Sequence, residues 1–136
     1  MTRPRQEGAK HASPRLGRLK RRREFLAAAR GRKAGGASLG LQALRRRADA
    51  ALDVASGETR LGFTCSKKVG NAVERNRARR RLKAAAAEVA PEFGLAGCDY
   101  VLIGRRATID YPFEKLCADM RRAFQNVAGK LRGGQQ

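Results

Sequence analysis

The greatest concentration of charged side chains lies between residues 67 and 83, where eight Lys or Arg residues accompany a single acid, Glu74. Residues 84–136, in contrast, hold seven basic and six acidic residues, so the positive charge is concentrated rather than spread. Arginine predominates in the run, and its planar guanidinium matches phosphate oxygens and stacks on bases. Phosphate binding is therefore the chemistry that this segment indicates.

A solvated helix face is the alternative explanation of the same run. Its cost argues against it, because like charges at i and i+4 destabilise a helix by about 0.2–0.5 kcal/mol per pair. Two such pairs are Arg75 with Arg79 and Arg77 with Arg81. Tolerating several of them favours a polyanionic ligand, and the helix N-terminus beside Lys68 adds partial positive charge.

The groups that usually carry protein-based catalysis form no recognisable constellation. Cys65, Cys98 and Cys117 are widely spaced and odd in number, so neither a disulfide framework nor a zinc site is indicated, and we expect them to be buried and reduced. The single histidine, His11, lies in the N-terminal segment. Carboxylates are scattered, and the glycine-rich stretch 31–40 matches no phosphate-binding loop. We therefore expect no catalytic residue and no metal site in the polypeptide, so another molecule would supply any hydrolytic chemistry.

Composition favours one small domain with a polyanionic partner. The chain has 136 residues, a formal net charge of +19 and 42% hydrophobic residues, with only 5% aromatics and no Trp. No apolar run approaches the roughly 18 residues of a transmembrane helix, and we expect no secretory signal. Nucleic acid is the preferred partner, ahead of an anionic membrane surface, because the basic stretches lack a bulky apolar face.

The first half of the chain predicts one helix and two strands. A helix is expected over 18–30, followed by a loop over 31–37. Alternating apolar residues predict a strand over 38–46, and an apolar run predicts a central strand over 59–66. Residues 48–57 are ambiguous and could form a short strand.

The basic run continues into a predicted long helix over 71–90. Asn71 can cap its start, and Pro91 and Gly94 are expected to end it. Its apolar positions recur with helical spacing and are mostly small, so the helix can lie close to a sheet. They are Ala78, Leu82, Ala85, Ala86 and Val89.

A strand over 99–104 and a final helix starting near Pro112 complete the pattern. The order of elements predicts a single α/β (or two-layer α+β) domain. Strand 59–66, helix 71–90 and strand 99–104 form a candidate crossover unit, which is right-handed as a general rule if the strands are parallel.

The run Ser66–Arg80 closely resembles the signature of the bacterial ribonuclease P protein subunit, whose "RNR" motif corresponds to Arg75-Asn76-Arg77. The resemblance covers roughly residues 16–131. Three further segments carry it: 18–25, 60–63 and 99–103.

This resemblance implies a fold similar to the second domain of ribosomal protein S5, with about four strands and three helices in the order αβββαβα. In that family the crossover is left-handed, and here the family takes precedence over the general rule. The reduced cysteines favour a cytoplasmic location, and the resemblance implies a protein subunit, one per RNA, that binds a catalytic RNA. Together they remove the 5′ leader of precursor tRNA endonucleolytically, while the RNA and its bound Mg²⁺ carry out the hydrolysis.

The motif also implies a set of RNA-facing side chains. Its cationic members would pair with phosphates, whereas Asn71 and Asn76 could contact sugar and phosphate or could cap and shape the helix. The stem of Arg75 could pack partly against the sheet. The full set is Lys67, Lys68, Asn71, Arg75, Asn76, Arg77, Arg79, Arg80 and Lys83.

In the family a cleft between the first helix and the sheet holds the single-stranded leader. The corresponding residues here are Phe25, Gln42 and Phe63, although both phenylalanines could instead be plain core. Two positions that are often aromatic in the family are Ala29 and Gln42 in this chain. Since stacking contributes about 1–3 kcal/mol per base, leader affinity is expected to depend more on Arg and Lys.

We expect a basic disordered tail over residues 1–16, one domain over 17–132 and a frayed end over 133–136. The alternative function is a structural RNA-binding protein of the ribosomal type without a role in cleavage. A protein nuclease is a third and weaker hypothesis.

Overall fold

The computed structural model describes residues 16–46 and 57–133. The predicted tail up to residue 15, the ambiguous segment over 48–56 and the last three residues lie outside the described residues. Within the described part, the elements in chain order are β1 (Leu16–Arg18), α1 (Arg22–Ala29), β2 (Arg32–Gly35), β3 (Leu39–Arg45), β4 (Thr59–Thr64), α2 (Ala72–Phe93), β5 (Cys98–Gly104), a 3-10 helix (Arg106–Ile109) and α3 (Phe113–Gly133).

The strands form one mixed sheet in the order β1-β4-β5-β3-β2. β4 pairs in parallel with β1 and β5, whereas β3 is antiparallel to β5 and β2. The α/β class is confirmed, and the predicted crossover unit is present as β4, α2 and β5.

The sheet has five strands rather than about four. Within the described residues, β1 is the one strand additional to the implied order αβββαβα, which the elements from α1 to α3 follow. β1 and β2 lie at the two edges of the sheet, and β2 occupies the segment predicted as a loop. Side chains of β2 such as Arg32 and Lys33 are exposed, so the strand is held by backbone pairing to β3 and leaves no apolar alternation in the sequence.

Helices cover both faces of the sheet, because successive side chains of each strand point to opposite sides. Tyr100 and Leu102 of β5 belong to the main core under α2 and α3, where the Tyr100 ring centroid lies 4.6 Å from that of Phe124. Val101 points the other way and packs with Leu19 and Ala28. The expected two layers are therefore supplemented by α1 on the second face.

α2 begins as the capping residue predicts. The Asn71 side-chain oxygen accepts a hydrogen bond from the Glu74 N–H at 2.8 Å, and the Glu74 carboxylate accepts one from the Asn71 N–H at 2.8 Å. Pro91 lies inside the helix instead of ending it, and α2 ends at Phe93, where Gly94 donates to the Ala90 carbonyl at 2.8 Å. All members of the predicted apolar stripe are buried.

The three cysteines are buried and have free thiols, as predicted. Burial raises the pKa of each thiol, so none resembles an activated nucleophile. No helix in the described part of the chain is long and apolar enough to cross a membrane.

Candidate nucleic-acid interface

α2 places its basic side chains on three sides around the buried stripe. The outward side carries Asn76, Arg80 and Lys83, which are all exposed and follow a helical spacing. Lys67 and Lys68, in the loop before the helix, are exposed as well. We call these five residues the basic ridge.

A second side of α2 fastens the 3-10 helix. Arg77 Nε donates to the Ile109 carbonyl at 3.0 Å, and Arg81 Nε donates to the Thr108 carbonyl at 2.8 Å. The Arg81 guanidinium also donates to the Tyr111 carbonyl. The Thr108 and Ile109 carbonyls lie at the end of the 3-10 helix, where they have no partner within it, so the two arginines satisfy acceptors that the helix leaves open.

The third side of α2 faces β4 and the preceding loop. Arg75 Nη1 donates to the Gly70 carbonyl at 2.9 Å, and Arg79 Nη1 donates to the Asn76 side-chain oxygen at 3.2 Å. Lys83 of the basic ridge reaches towards this side, where its ammonium lies 6.0 Å from the centroid of the Phe63 ring, at the limit of a cation–π contact. These contacts hold the cations in place and leave their charge uncompensated.

Arg106, the first residue of the 3-10 helix, contacts the loop and the first turn of α2. Its Nη1 donates to the Val69 carbonyl at 2.9 Å and lies 3.8 Å from a carboxylate oxygen of Glu74. Within the described residues, no Lys or Arg of α2 forms an ion pair with an acidic side chain. The positive potential of the helix is therefore available to an external anion.

The structure separates the predicted RNA-facing residues by role. Asn71 caps the helix, which is one of the two roles that the sequence left open. Arg77 has a main-chain partner within the fold, as does Arg81, which the prediction omitted. The sequence signal for Arg81 is its i+4 spacing from Arg77. The remaining cations of the predicted set lie on the basic ridge or on its β4 side.

The predicted leader cleft is only partly assembled. Phe25 of α1 lies over Gly62 of β4, where a Cβ atom would come 2.6 Å from its ring. Gln42 pairs with Val101 and points to this same face. Phe63 follows Gly62 in β4 and packs on the α2 face. Phe63 is therefore not part of a cleft between α1 and the sheet, because adjacent strand residues point in opposite directions.

Beyond Phe25 this face of the sheet stays partly open. Thr64 and Ile103 are partly exposed there, and they are direct partners on β4 and β5. Arg105 Nε donates to the Gly36 carbonyl at 3.0 Å, and its guanidinium lies over Gly40, where a Cβ atom would be 2.9 Å away. We call the partly exposed surface formed by Thr64, Ile103 and Arg105 the open strip. The sequence did not identify Arg105, which contributes a cation to it.

A buried ionic network holds α1 on the sheet. Arg60 Nε and Nη2 each donate to Asp99 at 2.8 Å, and Arg60 Nη1 donates to Glu24 at 3.0 Å. Arg46 Nη1 donates to Asp99 at 2.7 Å from the other side. Glu24 also accepts from the backbone N–H groups of Lys20 and Arg21, so one carboxylate caps α1 and ties it to β4.

The ionisation of this network follows its contacts. Burial alone would raise the pKa of Glu24, but hydrogen bonds from the Arg21 and Lys20 N–H groups and the charge of Arg60 outweigh it, so the pKa is lowered. Hydrogen bonding to Asp99 outweighs desolvation and raises the pKa of Arg60. Both groups are therefore held in their charged forms.

Comparisons with known proteins agree with this architecture. A family model described as Ribonuclease P matches residues 14–128. The ribonuclease P protein component of Ruegeria pomeroyi is 50% identical over 117 residues, covering 85% of this chain and 90% of the relative. That of Paramagnetospirillum magneticum is 47% identical over 114 residues, covering 83% of this chain and 84% of the relative.

Solved structures show the same fold at lower identity. The RNase P protein of Staphylococcus aureus has a TM-score of 0.63 at 22% identity and covers 81% of this chain and 94% of its own. The RNase P protein of Thermotoga maritima has a TM-score of 0.61 at 20% identity, with coverages of 77% and 96%. Since the family model spans most of the chain and the curated relatives align over nearly all of their length, this chain belongs to the ribonuclease P protein family.

Proposed function

We propose that this chain acts in tRNA 5′ processing as the protein subunit of ribonuclease P. It binds the catalytic RNA and the 5′ leader of precursor tRNA and promotes removal of the leader. Membership of the family supports this role. The observation that carries it is the basic ridge, whose exposed cations have no acidic partner in the described part of the structure.

The RNA subunit is assigned to the basic ridge. Arg80 and Lys83 project outward from a rigid helix, and Lys67 and Lys68 extend the positive surface past its N-terminus. Cations on a helix can follow a phosphate backbone without reading its bases, because phosphate contacts position a nucleic acid rather than specify its sequence. The ridge therefore fits a large folded RNA whose shape determines the register.

The leader is assigned to the open strip beside α1. Phe25 already packs on Gly62, so only its remaining exposed surface is available for stacking on a base. Gln42 can hydrogen-bond to a base edge, and Arg105 can pair with a phosphate. With one aromatic in place, leader binding depends mainly on charge and hydrogen bonding.

The accessory character of the subunit also belongs to this proposal. Among the described residues there is no group of three or more His, Cys, Asp or Glu side chains that could hold a metal ion. We assign Mg²⁺ to the RNA and the substrate, whose phosphate oxygens are the hard ligands that it prefers. The protein then contributes binding, positioning and positive charge, as one copy per RNA in the cytoplasm.

Precursor cleavage at low Mg²⁺ tests the function directly. The RNA subunit is assayed with precursor tRNA, with and without the full-length protein. We expect the protein to increase both precursor affinity and cleavage. Binding to the RNA without any gain in cleavage or precursor affinity would support the ribosomal-type alternative. Cleavage by rigorously RNA-free protein would instead establish a protein nuclease.

A further inference from the structure

A second basic site lies on the other side of α1 from the open strip. It is a cavity of about 850 Å³ between β1, α1 and the end of β3. Its lining contains seven cationic and three acidic side chains. We call it the α1 cavity.

Two of the three acidic residues that line the α1 cavity form salt bridges with cationic residues of the same lining. Asp99 is bound by Arg46 and Arg60, and Glu24 is bound by Arg60. These four side chains are at most 16% exposed and form the base of the cavity. The third acid is Glu58, whose carboxylate lies against the backbone of Gly17.

The other cationic lining residues have no carboxylate partner within the described residues. They come from β1, α1, β3 and the connection between β1 and α1, and all are exposed. They are Arg18, Lys20, Arg21, Arg23 and Arg45. These unpaired cations surround a cavity floor whose charges cancel, so the site as a whole is concave and positive. A concave surface concentrates the electric field on an anion that enters it.

Sheet register separates this cavity from the open strip. Arg60, Asp99 and Leu44 are paired across β4, β5 and β3, and all three line the cavity. Two residues further along the strands lies the row of Gly62, Val101 and Gln42, where Phe25 and Ala28 of α1 pack. The row of Thr64 and Ile103 follows on the far side. α1 therefore lies between two separate surfaces.

We propose that the α1 cavity binds the phosphodiester backbone of RNA, as a site additional to the basic ridge and the open strip. This proposal rests on the proposed function, because both sites act in one ribonucleoprotein. Arg18, Arg23 and Arg45 supply guanidinium forks suited to phosphate oxygens. The phosphates come from the RNA subunit or from the precursor, and the experiment distinguishes these sources.

The test compares two full-length variants with the same net charge. Arg23→Ala/Arg45→Ala removes two cations of the α1 cavity, while Lys115→Ala/Arg121→Ala removes two exposed cations of α3, which packs on the other face of the sheet. Thermal unfolding verifies that both are folded. Affinity for the RNA subunit alone is measured across a salt series. Affinity of the assembled holoenzyme is then measured for precursor tRNA and for leaderless mature tRNA.

We expect the cavity variant to lower the salt slope of one of these affinities by about 2, since each lost phosphate contact lowers it by about 1. A change in binding of the RNA subunit assigns the site to that RNA, and a change confined to leader-bearing precursor assigns it to the leader. Behaviour equal to that of the α3 variant in every assay overturns the proposal. Failure of the proposed function is distinct, because the wild-type protein itself would then give no gain in cleavage.

Discussion

Arg77 and Arg80 lie three positions apart on α2 and serve different purposes. Both side chains are exposed, but Arg77 also donates to the Ile109 carbonyl at 3.0 Å, whereas Arg80 lies on the basic ridge. From the sequence alone, both substitutions to Ala are expected to weaken RNA binding without unfolding the domain. The structure adds a modest stability cost for Arg77, because its hydrogen bond to Ile109 would be lost.

We predict that Arg80→Ala weakens affinity for the RNA subunit and leaves the free energy of unfolding unchanged. Arg77→Ala should lower the free energy of unfolding by about 0.5–1.5 kcal/mol, because it removes one hydrogen bond to a helix-end carbonyl. Urea unfolding and RNA titration of both variants measure the two effects. Equal stability of the two variants would show that the Arg77 contact contributes nothing to the fold.

At the residue scale, the sequence reveals charge and motif but not the partner of each side chain. The run around Arg75-Asn76-Arg77 identifies the basic segment, and the cap at Asn71 follows from local spacing. The carbonyl of Ile109 lies 32 positions from Arg77 and carries no side-chain signal. Contacts to backbone atoms far along the chain therefore had to come from the structure.

Among the elements, α1 has the most revealing attachment. It is only 8 residues long, which is too short to be stable alone. Phe25 over Gly62 and the salt bridges of Glu24 and Asp99 with Arg60 fix it at two points. Both surfaces beside α1 depend on these attachments.

We predict that Gly62→Ala destabilises the protein by about 1–3 kcal/mol, the range for overpacking a filled site. A Cβ atom at this position would lie 2.6 Å from the Phe25 ring, so the ring and α1 must move. Chemical denaturation measures the cost. Adding Phe25→Leu should recover part of it, and additive losses in the double variant would mean that the two side chains do not compete for space.

Acidification should loosen α1 through Glu24. Its pKa in the folded protein lies below the ordinary value of 4.5, so the ionised carboxylate stabilises the fold above that pH. This contribution is lost as the pH falls through the lowered pKa. We predict that the wild-type protein loses more unfolding free energy between about pH 6 and pH 3 than Glu24→Gln does. Parallel pH profiles of the two proteins would contradict this role.

At the element scale, predictability follows burial. The stripe of α2 was predicted because its buried side chains repeat with the helical period, and β3, β4 and β5 were predicted from apolar alternation or from apolar runs. β1 and β2 were missed because edge strands of three and four residues are held by backbone bonds and have few buried side chains. The prediction that Pro91 ends α2 was wrong, because a proline near the end of a helix removes only one backbone hydrogen bond.

For the molecule as a whole, charge dominates. A net charge of +19 on 136 residues favours a polyanionic partner, and the basic ridge and the α1 cavity lie on different sides of the sheet. An RNA that reaches both the ridge and the α1 cavity would contact the protein around α1 and α2. Affinity should then reflect many phosphate contacts at once.

We predict a steep fall in affinity for the RNA subunit between about 50 and 200 mM salt, because each neutralised phosphate releases condensed counterions. A salt titration of the wild-type complex measures the slope. A nearly flat response over that fourfold range would mean that contacts other than phosphate pairing dominate binding.

The arginines that donate to main-chain carbonyls have a consequence for how such a cationic protein stays folded. Arg75, Arg77 and Arg81 each bond to a backbone oxygen and have no acidic partner within the described residues. A carboxylate in the same position would cancel one unit of charge, whereas a peptide dipole cancels none. These arginines thus cross-link the fold while their charge remains available to a polyanion, so a run with eight basic residues and one acid over 67–83 is compatible with a well-defined tertiary structure.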